Sequence, residues 1–271
     1  MGRHEDMEKC KRIRRHIVEQ GYLSGRGHIS SALSLVEIYY ALYGMNYFDI
    51  SKIKNMQADR DRLVLSKGHG ALGLYATLVE MGIISPSELD GFATSEGLLS
   101  THPVRGSIPG VEMSAGSLGQ GIGYAGGIAL SAKLSDASYK TVVIVGDGEL
   151  QEGSNWESLL FIAHNKLNNL TTIVDRNKLQ ITGTVDSIVS IEPLQSKFKG
   201  FGFEVIEVDG HNVQEILNAL NKECGECPKV IIANTVKGKG LSFVENKGGW
   251  HGKGLTREQY ELAIKELEAT F

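Results

Sequence analysis

Apolar positions along the chain recur in two rhythms. Spacings of three and four predict helices over about 5–20, 33–44, 70–81, 121–134, 153–167, 192–200, 212–222 and 256–269. In the first of these, Met7, Cys10, Ile13 and Ile17 make one stripe. The neighbouring lysines and arginines, Lys9 to Arg15, then form a solvated helix face rather than a nucleic-acid patch. The last opens on Thr256-Arg257-Glu258-Gln259, the pattern of a capping box. Between the helices lie short β-branched runs: Leu63–Ser66, Thr141–Gly146, Leu170–Asp175, Phe203–Val208 and Lys229–Thr235. Their length and continuous apolar character fit strands buried on both faces. Strand and helix alternate, so the expected fold class is α/β, with a mostly parallel sheet covered by helices on both faces. No repeat or linker divides residues 1–271, and a single domain is expected.

Composition changes this picture little. Hydrophobic residues are 41% and charged residues 22%, ordinary for a globular chain with a buried core. A net charge of −4 implies no general affinity for polyanions, so nucleic acid is not an expected partner. No apolar run reaches membrane-spanning length, and the charged N-terminus lacks a signal-peptide core. A cytoplasmic location with no membrane association is therefore expected. Cys224 and Cys227 form a C-x-x-C pair, but it does not open a helix after a strand, and Cys10 is distant. A loop carrying reduced thiols is expected there, not a zinc or redox site.

The stretch from Thr141 to Gly153 poses the chemical question. An apolar run ends in Gly146-Asp147-Gly148, and two more acids follow, Glu149 and Glu152. Carboxylates at the end of a buried strand are costly to desolvate unless a positive charge meets them. Ligands of parallel sheets bind at the carboxyl ends of strands. Ser66-Lys67-Gly68-His69-Gly70 and Asp175-Arg176-Asn177 fall at such ends as well. Two readings compete. Gly121-Ile122-Gly123-Tyr124-Ala125-Gly126 matches a dinucleotide fingerprint with Asp147 following, yet no strand pattern precedes it, so close helix packing is the alternative. The second reading is a metal-bound diphosphate. Asp147 and Asn177 stand at the ends of strands expected to be neighbours, and the Leu179 carbonyl supplies a third oxygen. With two phosphate oxygens and a water, that makes the octahedron Mg²⁺ prefers. Backbone amides at Gly146 and Gly148 can then approach the anion. A simpler role for Asp147, capping the helix near Gly153, leaves Asn177 unexplained.

Further stretches narrow the choice: Gly27-His28, Thr101-His102-Pro103, Ala115-Gly116-Ser117-Leu118-Gly119-Gln120-Gly121 and Gly249-Trp250-His251-Gly252. In order and spacing, over essentially the whole chain, the set resembles the N-terminal, diphosphate-binding domain of transketolase, in the thiamine-diphosphate enzyme superfamily. The resemblance implies thiamine diphosphate with Mg²⁺, Ca²⁺ or Mn²⁺ held by Asp147, Asn177 and the Leu179 carbonyl. It implies that Gly148, His69 and His251 contact the diphosphate. Gly116, Ser117 and Leu118 would line the cofactor with Gly146 and Glu149, and Ile181 would lie against the thiazolium. His28 and His102 would face a sugar donor, and Glu152 would sit at the subunit contact. His28, His69, His102, Glu152 and His251 are the expected catalytic set. His4, His16, His164 and His211 fall in helix patterns or a surface turn and carry no expected role.

The family's pyrimidine-binding and C-terminal domains have no counterpart here. A partner chain supplying both, in an α2β2 assembly, is therefore implied. So is the transfer of a two-carbon ketol unit between sugar phosphates in the pentose phosphate pathway. The chain departs from the usual pattern at Ile29 and Ser117, where proline is common, and at Thr182, beside Gly183, where aspartate is. Those positions concern the donor pocket, and a specialised ketose is the alternative substrate. Subunits of deoxyxylulose-phosphate synthase or 2-oxo acid dehydrogenase share the acidic motif and remain alternatives, as does a scaffold subunit without catalysis.

Overall fold

A computed structural model describes residues 2–269. Helix α1 spans Gly2–Leu23, α2 Ile29–Leu33, α3 Val36–Tyr43 and α4 Ile50–Lys54. Strand β1 is Arg62–Leu65, and α5 (Ala71–Glu80) and α6 (Pro86–Asp90) follow. Then come α7 (Gly121–Leu134), β2 (Thr141–Gly146), α8 (Gly153–His164), β3 (Leu170–Arg176), α9 (Val185–Val189) and α10 (Leu194–Gly200). The last elements are β4 (Glu204–Asp209), α11 (Val213–Asn221), β5 (Lys229–Asn234) and α12 (Arg257–Ala269).

The five strands form one sheet in the order β1-β2-β3-β5-β4, and every pairing is parallel. Alternate residues face opposite sides, as the pleat requires. Leu63, Leu65, Val142, Ile144, Ile173 and Ile231 pack with α1, α3, α5, α11 and α12. Val64, Val143, Val145, Val174, Val230 and Ile232 pack with α7, α8 and α10. Both faces are thus covered, which is why the strand sequences are apolar throughout.

The expected helix over 33–44 is two helices meeting at Ser34-Leu35, and three short helices, α4, α6 and α9, were not expected. Each of those three begins at a residue whose side chain caps it: Asp49, Ser85 and Thr184. Caps are short-range signals that carry no apolar period, so a periodicity reading passes over them. The capping box at the last helix is present: Gln259 N donates to Thr256 Oγ1 at 3.3 Å and Thr256 N to Gln259 Oε1 at 2.9 Å. The glycine pattern at 121–126 lies inside α7, where a side chain on Gly121 would strike Ser66 and one on Gly126 would press on Ile162. That is close packing, not a phosphate loop. Among the described residues no helix is long and apolar enough to cross a membrane.

Candidate functional site

The carboxyl ends of β2 and β3 are in register, with Gly146 opposite Asp175, and the chain turns outward just beyond each. Asp147 is buried. Its Oδ1 accepts from Gly148 N at 2.8 Å and its Oδ2 from Lys178 N. Burial, and then the neighbouring charge of Asp175, raise its pKa to about 6. The carboxylate therefore sits where a cation would stabilise it. It also caps the short 3-10 turn Gly148–Gln151 rather than α8, whose N-cap is Glu152. Asn177 is buried beside it, and its Oδ1 accepts from Leu179 N at 3.1 Å. Residues 178–185 then form a turn closed by Gln180 N to Gly183 O and Val185 N to Lys178 O. The turn carries Ile181 to the cavity mouth, where it is 61% exposed.

A cavity of about 410 Å³ lies over these ends. Asp147, Asn177, Leu179 and Ile181 line it together with Gly116, Leu118, Gly146, Gly148 and Glu149. His69, His102 and His251 line it too. His28 stands behind them, its ring centroid 4.5 Å from His251, 5.2 Å from His102 and 5.7 Å from His69. Ser117 and Glu152 are exposed and outside the lining, Glu152 at the start of α8. A side chain on Gly148 would meet the flexible end of Gln180, so Gln180 covers the backbone of that turn. Glu149 ties the floor together: Gly119 N and Gly146 N donate to its two oxygens at 3.0 Å, and Ser66 Oγ donates as well.

All four imidazoles are held neutral at pH 7. Burial lowers His28 to about 4, helped by His251, His102, Lys237 and Lys67. Burial also takes His69 well below its usual value and lowers His102 and His251. Nδ1 of His28 and Nδ1 of His251 are buried without a hydrogen-bond partner. Neutral rings with an unused nitrogen suit the binding of hydroxyls and the movement of their protons.

Two buried lysines complete the site, and neither carries an expectation from the sequence. Lys67 is 1% exposed and pairs with the fully buried Asp175. Lys237 reaches the Leu179 carbonyl at 3.3 Å, and burial, then Lys67, bring it down to about 8. Lys67 lies inside the Ser66–Gly70 motif and Lys237 opens a glycine turn, so both are visible as residues; their burial is not. His211 was expected in a surface turn. It is largely buried: Nδ1 lies 2.9 Å from Glu37 Oε2, and Nε2 accepts from Val236 N at 2.8 Å. Its role is structural, bracing the segment that carries Lys237.

The residues fit a cation and a diphosphate. Among the described residues, no three His, Cys, Asp or Glu side chains group as a metal site. A cation at Asp147 would therefore meet one carboxylate, with the Asn177 amide oxygen, the Leu179 carbonyl and a phosphate oxygen as the other candidate ligands. Mg²⁺ is commonly held this way, by one or two carboxylates and phosphate oxygens. Lys67 and Lys237 add positive charge on the same side.

Fold and site together define part of an α/β, thiamine diphosphate-binding enzyme. Residues 6–268 match the family described as "Transketolase, thiamine diphosphate binding domain". The chain is 41% identical over 263 residues to an apulose-4-phosphate transketolase subunit from Actinobacillus succinogenes, covering 96% of this chain and 95% of that one. It is 39% identical over 261 residues to the 6-deoxy-6-sulfo-D-fructose transketolase subunit SqwG of a Clostridium species, covering 94% of each. Human transketolase is 36% identical over 264 residues, which are 96% of this chain and 41% of that protein. A crystal structure of Pichia stipitis transketolase superposes with a TM-score of 0.89 at 28% identity, covering 97% of this chain and 40% of that one. The chain belongs to the transketolase family, through its thiamine diphosphate-binding domain, and corresponds to the N-terminal subunit of a split transketolase.

Proposed function

We propose that this chain is the diphosphate-binding half of an enzyme that transfers a two-carbon ketol unit from a ketose phosphate to an aldose phosphate. The supporting observation is the gathering of His69, His102 and His251 on a cavity whose floor is Asp147 and Asn177, with His28 packed against all three rings. Asp147, Asn177 and the Leu179 carbonyl would hold Mg²⁺. His69, His251 and the Gly148 amide would hold the diphosphate, and Gly116, Leu118 and Ile181 the cofactor body. When bound, thiamine diphosphate supplies the carbon nucleophile and the electron sink for cleavage of the ketose carbon–carbon bond. His28 and His102 orient the donor's hydroxyls and move protons on and off them. Burial, helped at His28 by the other imidazoles and the nearby lysines, keeps these two rings neutral and able to accept.

The chain spans about two-fifths of the human and Pichia proteins. The pyrimidine-binding and C-terminal domains would come from a partner chain in an α2β2 assembly, with Glu152 at the contact between subunits. Three free cysteines accord with a reducing, cytoplasmic setting. The relatives named for apulose-4-phosphate and for sulfofructose, with Thr182 in the cavity lining, favour a specialised ketose over the common pentose phosphates, whereas Ile29 packs in the core against Gly21 and Ser117 lies outside the lining.

The test is reconstitution. The chain, its partner, thiamine diphosphate and Mg²⁺ are mixed with an aldose phosphate and a panel of ketose donors that includes those two. Ketol transfer is expected from one of them, and Asp147→Ala is expected to abolish metal and cofactor uptake together. Absence of transfer with every donor, or pyruvate consumption with CO₂ release, overturns the reading.

A further inference from the structure

Behind Asn177 lies the buried ion pair of Lys67 and Asp175, whose lysine also borders the cavity. Asp175 Oδ2 accepts from Ser34 Oγ at 2.9 Å, from Asn177 Nδ2 at 3.2 Å and from Lys67 Nζ, while its Oδ1 accepts from Thr235 Oγ1. Lys67 Nζ is held in turn by Ser34 Oγ at 3.3 Å and the Ser31 carbonyl at 3.5 Å. Asparagine is nearly symmetric in shape, and two orientations of its amide fit one space. A carboxylate paired with an ammonium group accepts hydrogen bonds and donates none. Only the NH₂ end of Asn177 can face it. The oxygen end then points the other way, toward the Leu179 amide and the cavity that Asn177 lines.

We propose that Asp175, neutralised by Lys67, is a positioning residue that fixes the Asn177 amide with its oxygen toward the cation. The inference rests on the reading of Asp147 and Asn177 as cation ligands. The opposite orientation would present two N–H donors to Mg²⁺ and remove a ligand. Lys67 has a second part in this. It cancels the charge of Asp175, so that the cation meets one net carboxylate, Asp147, and is not drawn deeper toward Asp175.

Two measurements test it. In the full chain labelled with ¹⁵N-asparagine, the Asn177 side-chain NH₂ protons are expected downfield and slow to exchange. The Asp175→Asn/Lys67→Met pair removes both charges at similar volume, so no buried ion is stranded. In that variant either end of the amide can be bonded, and the downfield signal is expected to vanish. Calorimetry with Mg²⁺, at saturating thiamine diphosphate and with the partner chain present, is expected to show at least tenfold weaker Mg²⁺ binding. A folded variant with wild-type Mg²⁺ affinity overturns the proposal. So does a wild-type Asn177 amide that exchanges like an exposed one, and this second readout decides the matter if the variant fails to fold. Should the wild type itself take up no thiamine diphosphate with Mg²⁺, the reading of the site fails, while the amide signal still reports the orientation of Asn177.

Discussion

Burial of charge decides what single residues do here. Lys67 is among the most buried side chains of the molecule, and its partner Asp175 is fully inside. Removing one member of such a pair leaves an uncompensated buried charge, which typically destabilises by about 3–5 kcal/mol. Lys67→Met alone is therefore expected to lower the unfolding free energy in urea by that much, and pairing it with Asp175→Asn to recover most of the loss. His102 behaves differently. It is half-buried in the cavity lining, and its ring has no structural hydrogen bond beyond a 3.4 Å approach to Thr101 Oγ1. His102→Ala is expected to leave thiamine diphosphate affinity unchanged and to reduce kcat by about 10²–10⁴-fold, the range for a lost acid–base group. Equal loss of cofactor in His102→Ala and Asp147→Ala, measured side by side, would defeat the separation of roles.

At the scale of elements, α7 depends on lacking side chains where it meets the sheet. A methyl on Gly121 would overlap Ser66, whose Oγ accepts from Gly121 N at 3.0 Å and donates to Glu149. Gly121→Ala is expected to cost about 1–3 kcal/mol, as overpacking does, and to lower Tm accordingly. Elements differ in how far the sequence alone reveals them. Strand β2 and helix α7 match the expected spans because β2 is a continuous apolar run and α7 an unbroken, mostly small and apolar stretch without proline. Asp147 and Asn177 were readable because a strand end fixes where a side chain emerges. The Lys67–Asp175 pair was not, since a lysine in a glycine-rich motif and an aspartate ending a strand look exposed until the fold closes over them. The break at Ser34 was hidden for a related reason: an apolar run through 33–44 has the same period whether the helix bends or not.

For the molecule as a whole, buried titratable groups make stability depend on pH in a stated direction. His28 has its value lowered from 6.5 to about 4 on folding. Below 6.5 the unfolded chain binds a proton that the folded one refuses, so stability is full above that pH and declines as pH falls toward 4. Glu37 adds to this in a lower range. Burial alone would raise it, but Arg14 and His211 hold it below the usual carboxylate value. Its contribution is present above pH about 4.5 and is lost as pH falls through the folded value. Urea unfolding of the chain between about pH 8 and 4 is expected to show a midpoint that falls steadily once pH drops below about 6.5. Asp147, raised to about 6, acts in the opposite sense and regains stability as pH falls, so a midpoint that is flat or rises over this range would show that the buried carboxylates outweigh the imidazoles.

The order of the strands also has a bearing on how the protein is made. Arg62 lies opposite Thr141, and β5 slots between β3 and β4, although it is the last strand in the chain. During synthesis β1 must wait, one edge bare, until β2 emerges, and β3 until β5 does. Such long closures are entropically expensive and slow. The rim bearing Asp147 and Asn177 thus becomes whole only after Asn234 has left the ribosome, and a product cut short before β5 holds half a sheet and an unsupported binding edge that invites aggregation.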